Sequence, residues 1–102
     1  MIKVYGSKMC HNTRDFRKNL DRLNIDYQFI DINLNLSNLK EFLSIRDTNK
    51  QFERIKEQNG IGIPTILDED GNVITRWTKY LENLGYDIVL ENEECIDDNM
   101  NC

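Results

Sequence analysis

Ile2-Lys3-Val4-Tyr5-Gly6-Ser7-Lys8-Met9-Cys10-His11-Asn12-Thr13-Arg14 is the stretch whose reading decides the fold. Ile2 to Tyr5 is short, apolar and β-branched and stops at a glycine, which predicts a strand. Beyond Asn12 the spacing changes. Phe16, Leu20 and Leu23 recur at helical intervals with Arg, Lys and Asp between them, so a helix is expected from Arg14 to Leu23. Asn12 or Thr13 is its expected cap, with Asp15 in the first turn, where a carboxylate is favoured. Cys10 thus stands at a strand-to-helix junction, beside the free amides and positive dipole end of a helix. Such a site favours an anion, and the thiolate is the reactive form of cysteine, so the position predicts a nucleophile of lowered pKa. A small buried apolar side chain is the other role open to a free cysteine.

Working outward, Asp26 to Ile32 alternates and is rich in aromatic and β-branched residues, which predicts a second strand. Strand, helix and strand with short connections imply a parallel, right-handed crossover. Ser37 to about Arg46 carries Leu39, Phe42 and Leu43 on one face, and Phe52 with Ile55 marks a shorter helix to about Gln58. Ile63-Pro64-Thr65-Ile66-Leu67 reads as a strand begun by a proline, where the missing N–H costs least. Asp68-Glu69-Asp70-Gly71-Asn72 is a hairpin turn and Val73 to Trp77 the returning antiparallel strand. Thr78 is expected to cap a last helix, Lys79 to Leu84, stopped by Gly85. The expected order is β-α-β-α-α-β-β-α within residues 1–85, followed by an extension, 86–102, acidic and flexible at its end.

Length and composition limit the function classes. The 102 residues suffice for one domain with one core. A net charge of -5 argues against nucleic acid or an anionic membrane as partner, since both demand basic patches. No apolar run approaches the roughly 20 residues of a membrane span. Met1 leads directly into a strand with no leader-like pattern, so a cytoplasmic protein with reduced thiols is expected. Cys10, Cys95 and Cys102 are an odd set without framework spacing, and the one histidine, His11, adjoins Cys10, so neither a disulfide scaffold nor a metal site is expected.

Two motifs, Gly6-Ser7-Lys8-Met9-Cys10 after the first strand and Ile61-Gly62-Ile63-Pro64-Thr65 opening the third, occur in order across this pattern. In that arrangement, Met1 to Leu84 resembles the glutaredoxin family, and within it the bacterial glutaredoxin-related proteins. The resemblance implies an α/β thioredoxin-like fold, a mixed four-stranded sheet flanked by helices. It implies that Pro64 is cis and faces Cys10, so that Ile63, Pro64 and Thr65 position a bound peptide or glutathione as a short antiparallel strand. It implies catalysis by Cys10, with Thr13 at the place of the family's second cysteine or serine, donating a hydrogen bond to the thiolate. Lys8 and His11 then become substrate-binding candidates: Lys8 and Arg14 are the nearest cations, and His11 is the side chain that titrates near neutrality. Solvated surface groups are the alternative for each.

The chain departs from the family at Thr75-Arg76-Trp77-Thr78-Lys79, where a Gly-Gly turn and an acidic helix start commonly receive glutathione. Trp77 either lines the groove beside Cys10 or belongs to the core. No cofactor is expected to be held permanently; glutathione is a possible co-substrate, and glutathione or protein disulfides are the expected partners. The resulting expectation is a thiol–disulfide oxidoreductase acting through a single cysteine, its mixed disulfide resolved by an external thiol. A binding or redox-sensor protein on the same scaffold is the second reading. An arsenate-reductase-like enzyme, suggested by Cys10-His11-Asn12-Thr13-Arg14, is the third. Cys95 and Cys102 are expected to be exposed bystanders on the terminus, the alternative being that Cys95 or Cys102 folds back and resolves a Cys10 disulfide.

Overall fold

The computed structural model describes residues 1–90 and Cys102, and the strand β1 (Ile2–Gly6) lies at its centre. β2 (Tyr27–Asp31) runs parallel on one side, in register from Ile2 opposite Tyr27 to Gly6 opposite Asp31. β3 (Thr65–Leu67) is antiparallel on the other side, and β4 (Val73–Ile74) closes the sheet beside it, giving the order β2-β1-β3-β4. The parallel pair needs a crossover, supplied by α1 (His11–Arg22).

Alternation along β1 separates two packed faces. Ile2 and Val4 meet Phe16 and Leu20 of α1, Ile66 of β3, and Trp77 and Leu81 of α4 (Trp77–Asn83). Tyr5 faces the other way, against Ile30, Ile32, Phe42 of α2 (Leu36–Thr48), Phe52, and Ile55 of α3 (Glu53–Glu57). Helices therefore cover both faces of the sheet. Phe16, Leu20, Phe42 and Phe52 are wholly buried, each contributing about 1.5–3 kcal/mol on removal from water. The α/β class and the mixed four-stranded sheet agree with the expectation from the sequence.

Element ends differ in informative ways. α1 starts at His11 with Cys10 itself as N-cap, so Asp15 lies beyond the first turn and is buried. α2 starts earlier, because Asn35 accepts a 2.8 Å bond from the Asn38 amide, and continues to Thr48. One turn of 3-10 helix, Lys50–Phe52, precedes α3. β3 starts at Thr65 rather than Ile63, β4 ends at Ile74, and α4 begins at Trp77 after an Arg76 N-cap, not at Lys79 after Thr78. Burial of the Trp77 indole against Phe16, with ring centroids 5.6 Å apart, holds that residue in the helix.

The extension leaves the domain at Gly85, whose φ of 90° needs a glycine. Its first residues do not leave the surface. The Asn19 side chain donates to the Val89 carbonyl at 2.8 Å and accepts from the Val89 amide at 2.9 Å, while Arg22 donates to the Asp87 carbonyl at 2.8 Å. Ile88 and Leu90 pack against the α1–α4 core. The acidic end that the sequence leads one to expect as flexible, and Cys95, lie outside the described residues. Among the described residues no helix is long and apolar enough to cross a membrane.

Candidate functional site

The site starts with a turn. The Cys10 amide donates to the Ser7 carbonyl at 3.1 Å, closing Ser7 to Cys10 between β1 and α1. The Ser7 hydroxyl accepts from the Met9 amide at 3.1 Å and donates to Asn33 Oδ1, tying the turn to the loop after β2. Arg14 donates from Nη1 to the Lys8 carbonyl at 2.8 Å, bracing the loop from the helix side. Gly6 admits the start of α1: a Cβ there would stand 2.5 Å from Thr13 Cγ2 and 2.7 Å from Thr13 Oγ1. The result is a cysteine at the N-cap, whose side chain is the one that first-turn amides of a helix address.

Opposite the turn stands the segment Gly60 to Pro64. The Ile63–Pro64 peptide bond is cis, and the Ile63 carbonyl oxygen lies 3.7 Å from Cys10 Sγ. Thr65 is buried, its hydroxyl donating to the Gly62 carbonyl at 2.6 Å. Gly62 has a φ of 102°, and a Cβ on it would meet Phe52 at 2.8 Å. Only glycine therefore lets this backbone turn so close over the core.

Cys102 fills the space between the two. Its sulfur forms a disulfide with Cys10 across 92 residues of sequence. Its amide donates to the Ile63 carbonyl at 2.7 Å, and its carbonyl oxygen accepts from the amides of Ile61 at 2.8 Å and Gly62 at 2.7 Å. The expectation of a bystander is overturned for Cys102. The reason is that Ile61 to Ile63, left out of the β3 ladder, present main-chain donors and an acceptor at the edge facing Cys10, and Cys102 satisfies them. A cleft of about 240 Å³ remains around the disulfide, lined by Ser7, Met9, Ile32, Asn33, Ile61 and Ile63. Met9 and Ile61 form an apolar rim, 81% and 46% exposed.

The remaining predicted residues divide. Lys8 is exposed next to the turn, and His11 is half-buried with Nε2 3.3 Å from Asn12 Nδ2. Thr13 is buried under Gly6, its Oγ1 accepting from the Ser7 amide at 3.4 Å, so it holds the loop at the base of Cys10. Trp77 is wholly buried on the α1–α4 side, its indole N–H donating to Asn12 Oδ1 at 3.3 Å, and it is not part of the cleft wall. The groove role expected for Trp77 gives way to a core role, because Phe16 and Asn12 of α1 shield it. Ser7, Ile61 and Gly62 stand in the two motifs of the sequence but have no role of their own there, and Asn33 has none. The glycine pair around Ile61 and the cysteine at 102 are the signals that point to the seat. Among the described residues, no group of three His, Cys, Asp or Glu side chains comes together to hold a metal ion.

Fold and site together define an α/β protein with a cysteine at a strand-to-helix junction facing a main-chain seat beside a cis proline. No family model matches the chain. Over 76 residues, 74% of this chain and 88% of the other, it is 34% identical to an uncharacterized protein of Haemophilus influenzae strain Rd. The chain belongs to the family of that protein.

Proposed function

We propose that the protein is a cytoplasmic thiol–disulfide oxidoreductase of glutaredoxin type on a thioredoxin-like scaffold, with Cys10 as its nucleophile. The strand order, the helices on both faces and the Ile63–Pro64 step opposite Cys10 support the scaffold. One observation carries the chemistry: the Cys10 sulfur is joined to a cysteine whose backbone pairs with Ile61, Gly62 and Ile63. That arrangement has the form of a mixed disulfide with a seated cysteine peptide. Substrate cysteine enters as an extended segment, donating to the Ile63 carbonyl and accepting from Ile61 and Gly62. Exchange then proceeds in line with the S–S bond, the thiolate favoured by the amides that open α1.

The apolar rim of Met9 and Ile61 favours cysteines within peptides, glutathionylated proteins or protein disulfides, over small free thiols. Glutathione is then a partner at the sulfur rather than a resident group. A redox-sensor role is the second reading, favoured by the filled state of the seat. The two separate in one experiment: turnover of a glutathionylated peptide by reduced protein with excess thiol reductant. Sustained turnover lost in Cys10→Ser supports the enzyme, whereas stoichiometric oxidation without turnover supports the sensor.

A further inference from the structure

We infer that Cys102 is the resolving cysteine of this exchange, a second catalytic thiol delivered to Cys10 from the far end of the sequence. The inference rests on Cys10 being the nucleophile. It differs in the fate of the mixed disulfide, which is resolved within the chain rather than by an external thiol.

Three independent features lead to it. First, Cys102 is seated as well as cross-linked: three main-chain hydrogen bonds of 2.7–2.8 Å hold its amide and carbonyl to Ile61, Gly62 and Ile63. A cysteine joined by chance contact has no cause to satisfy every one of these groups. Second, the local motif holds no other thiol, since the residue three beyond Cys10 is Thr13, buried beneath Gly6. Third, the extension is anchored on the way. Asn19 grips both main-chain groups of Val89, and Arg22 holds the Asp87 carbonyl. The twelve residue steps from Leu90 to Cys102 can extend about 40 Å, beyond the 31 Å longest dimension of the molecule. The thiol is therefore tethered near its target, and such tethering raises effective concentration into the millimolar range.

The chemistry balances in two steps. The Cys10 thiolate attacks one sulfur of a substrate R–S–S–R′; the Cys10–SR bond forms, and R′S⁻ leaves with the electron pair and is protonated by water. Cys102, having released its proton to water, attacks Cys10 Sγ; the Cys10–Cys102 bond forms, and RS⁻ leaves. The substrate disulfide gains two electrons and the protein dithiol loses two. An external thiol or dithiol reductant returns them. Because R and Cys102 use the same main-chain groups, the backbone of R leaves the seat before or as Cys102 arrives.

The test is single turnover of the reduced full chain with one equivalent of glutathione disulfide, quenched with acid and followed by intact mass and peptide mapping. In the wild type the glutathione adduct on Cys10 is expected to be transient, giving way to the Cys10–Cys102 disulfide. In Cys102→Ser, and equally in Cys102→Ala, the adduct should persist on the order of a hundredfold longer at equal free thiol. Cys95→Ser should behave as wild type. An adduct that decays equally fast in Cys102→Ser, or that accumulates in Cys95→Ser, overturns the inference and leaves the Cys10 chemistry standing. So does an adduct that persists in the wild type. If no variant forms an adduct, Cys10 is not the nucleophile and both readings fail.

Discussion

Opening the Cys10–Cys102 disulfide should lower stability by an amount that depends on whether the seat stays filled. In the unfolded chain the bond closes a loop of 92 residues, a chain-entropy cost of about 4.6 kcal/mol at 25 °C. Counted from Leu90, the last described residue before Cys102, the same bond in the folded protein closes a stretch of at most 12 residues. The same expression gives about 2.8 kcal/mol for that closure. If the three hydrogen bonds at Cys102 open on reduction, the net stabilisation by the bond is the difference, about 1.8 kcal/mol. If they hold the reduced residue in place, the native state gains no freedom and the full value of about 4.6 kcal/mol applies. Urea unfolding of oxidised chain, reduced chain and Cys102→Ser measures this directly, and the lower limit corresponds to a melting shift of roughly 10 °C. The denaturant slope should also be smaller for the oxidised chain, whose unfolded state is more compact. Equal stability of the oxidised and reduced chains, or a Cys102→Ser variant as stable as oxidised wild type, would refute the reasoning.

Other perturbations probe the seat, its anchor and the core. Gly62→Ala places a Cβ 2.8 Å from Phe52 at a φ of 102°, and should cost about 1–3 kcal/mol in urea unfolding while slowing resolution of the Cys10 adduct. Asn19→Ala removes both partners of Val89 and should cost about 1–3 kcal/mol; hydrogen exchange at the Val89 amide should accelerate well before the β1 amides change. Burial, with the Glu41 carboxylate adding to it, pushes the Tyr5 phenol from 10.0 up to about 12. Between those values the folded state binds the proton that the unfolded state has lost, so stability should be constant below pH 10.0 and fall towards pH 12. Tyr80, raised by burial in the same direction, adds to the loss, and Tyr5→Phe should flatten the alkaline part of the curve.

The order of elements was legible because the core of this chain is written in local periods. Phe16 and Leu20 mark the buried side of α1, Ile2 and Val4 that of β1, and the Gly71 turn separates β3 from β4. Cys10 was legible for the same reason, as a residue at the change from a period of two to one of 3.6. What was not legible depends on contacts far apart in sequence. A local reading makes Trp77 the last residue of a strand, whereas Phe16 and Asn12, some 60 residues earlier, decide that it is core. Ile63 has the composition of a strand residue, yet its carbonyl is reserved for Cys102. Cys102 itself follows a mostly polar run, Asp97-Asp98-Asn99-Met100-Asn101, whose composition predicts solvation. Its pairing is a property of the edge it meets, which has no sequence period at all.

Cys10 as the N-cap of α1 makes the proposed nucleophile also the boundary marker of a helix. In the disulfide the sulfur accepts no bond from the amides behind it. As a thiolate it is an anion in the one place where those amides can reach it. In the proposed redox cycle each turn also swaps the way the helix begins, tied by a covalent strap in one half and closed by charge in the other. The amides of Asn12 and Thr13 are consequently built-in reporters of the oxidation state, read by their chemical shifts without any label on the sulfur.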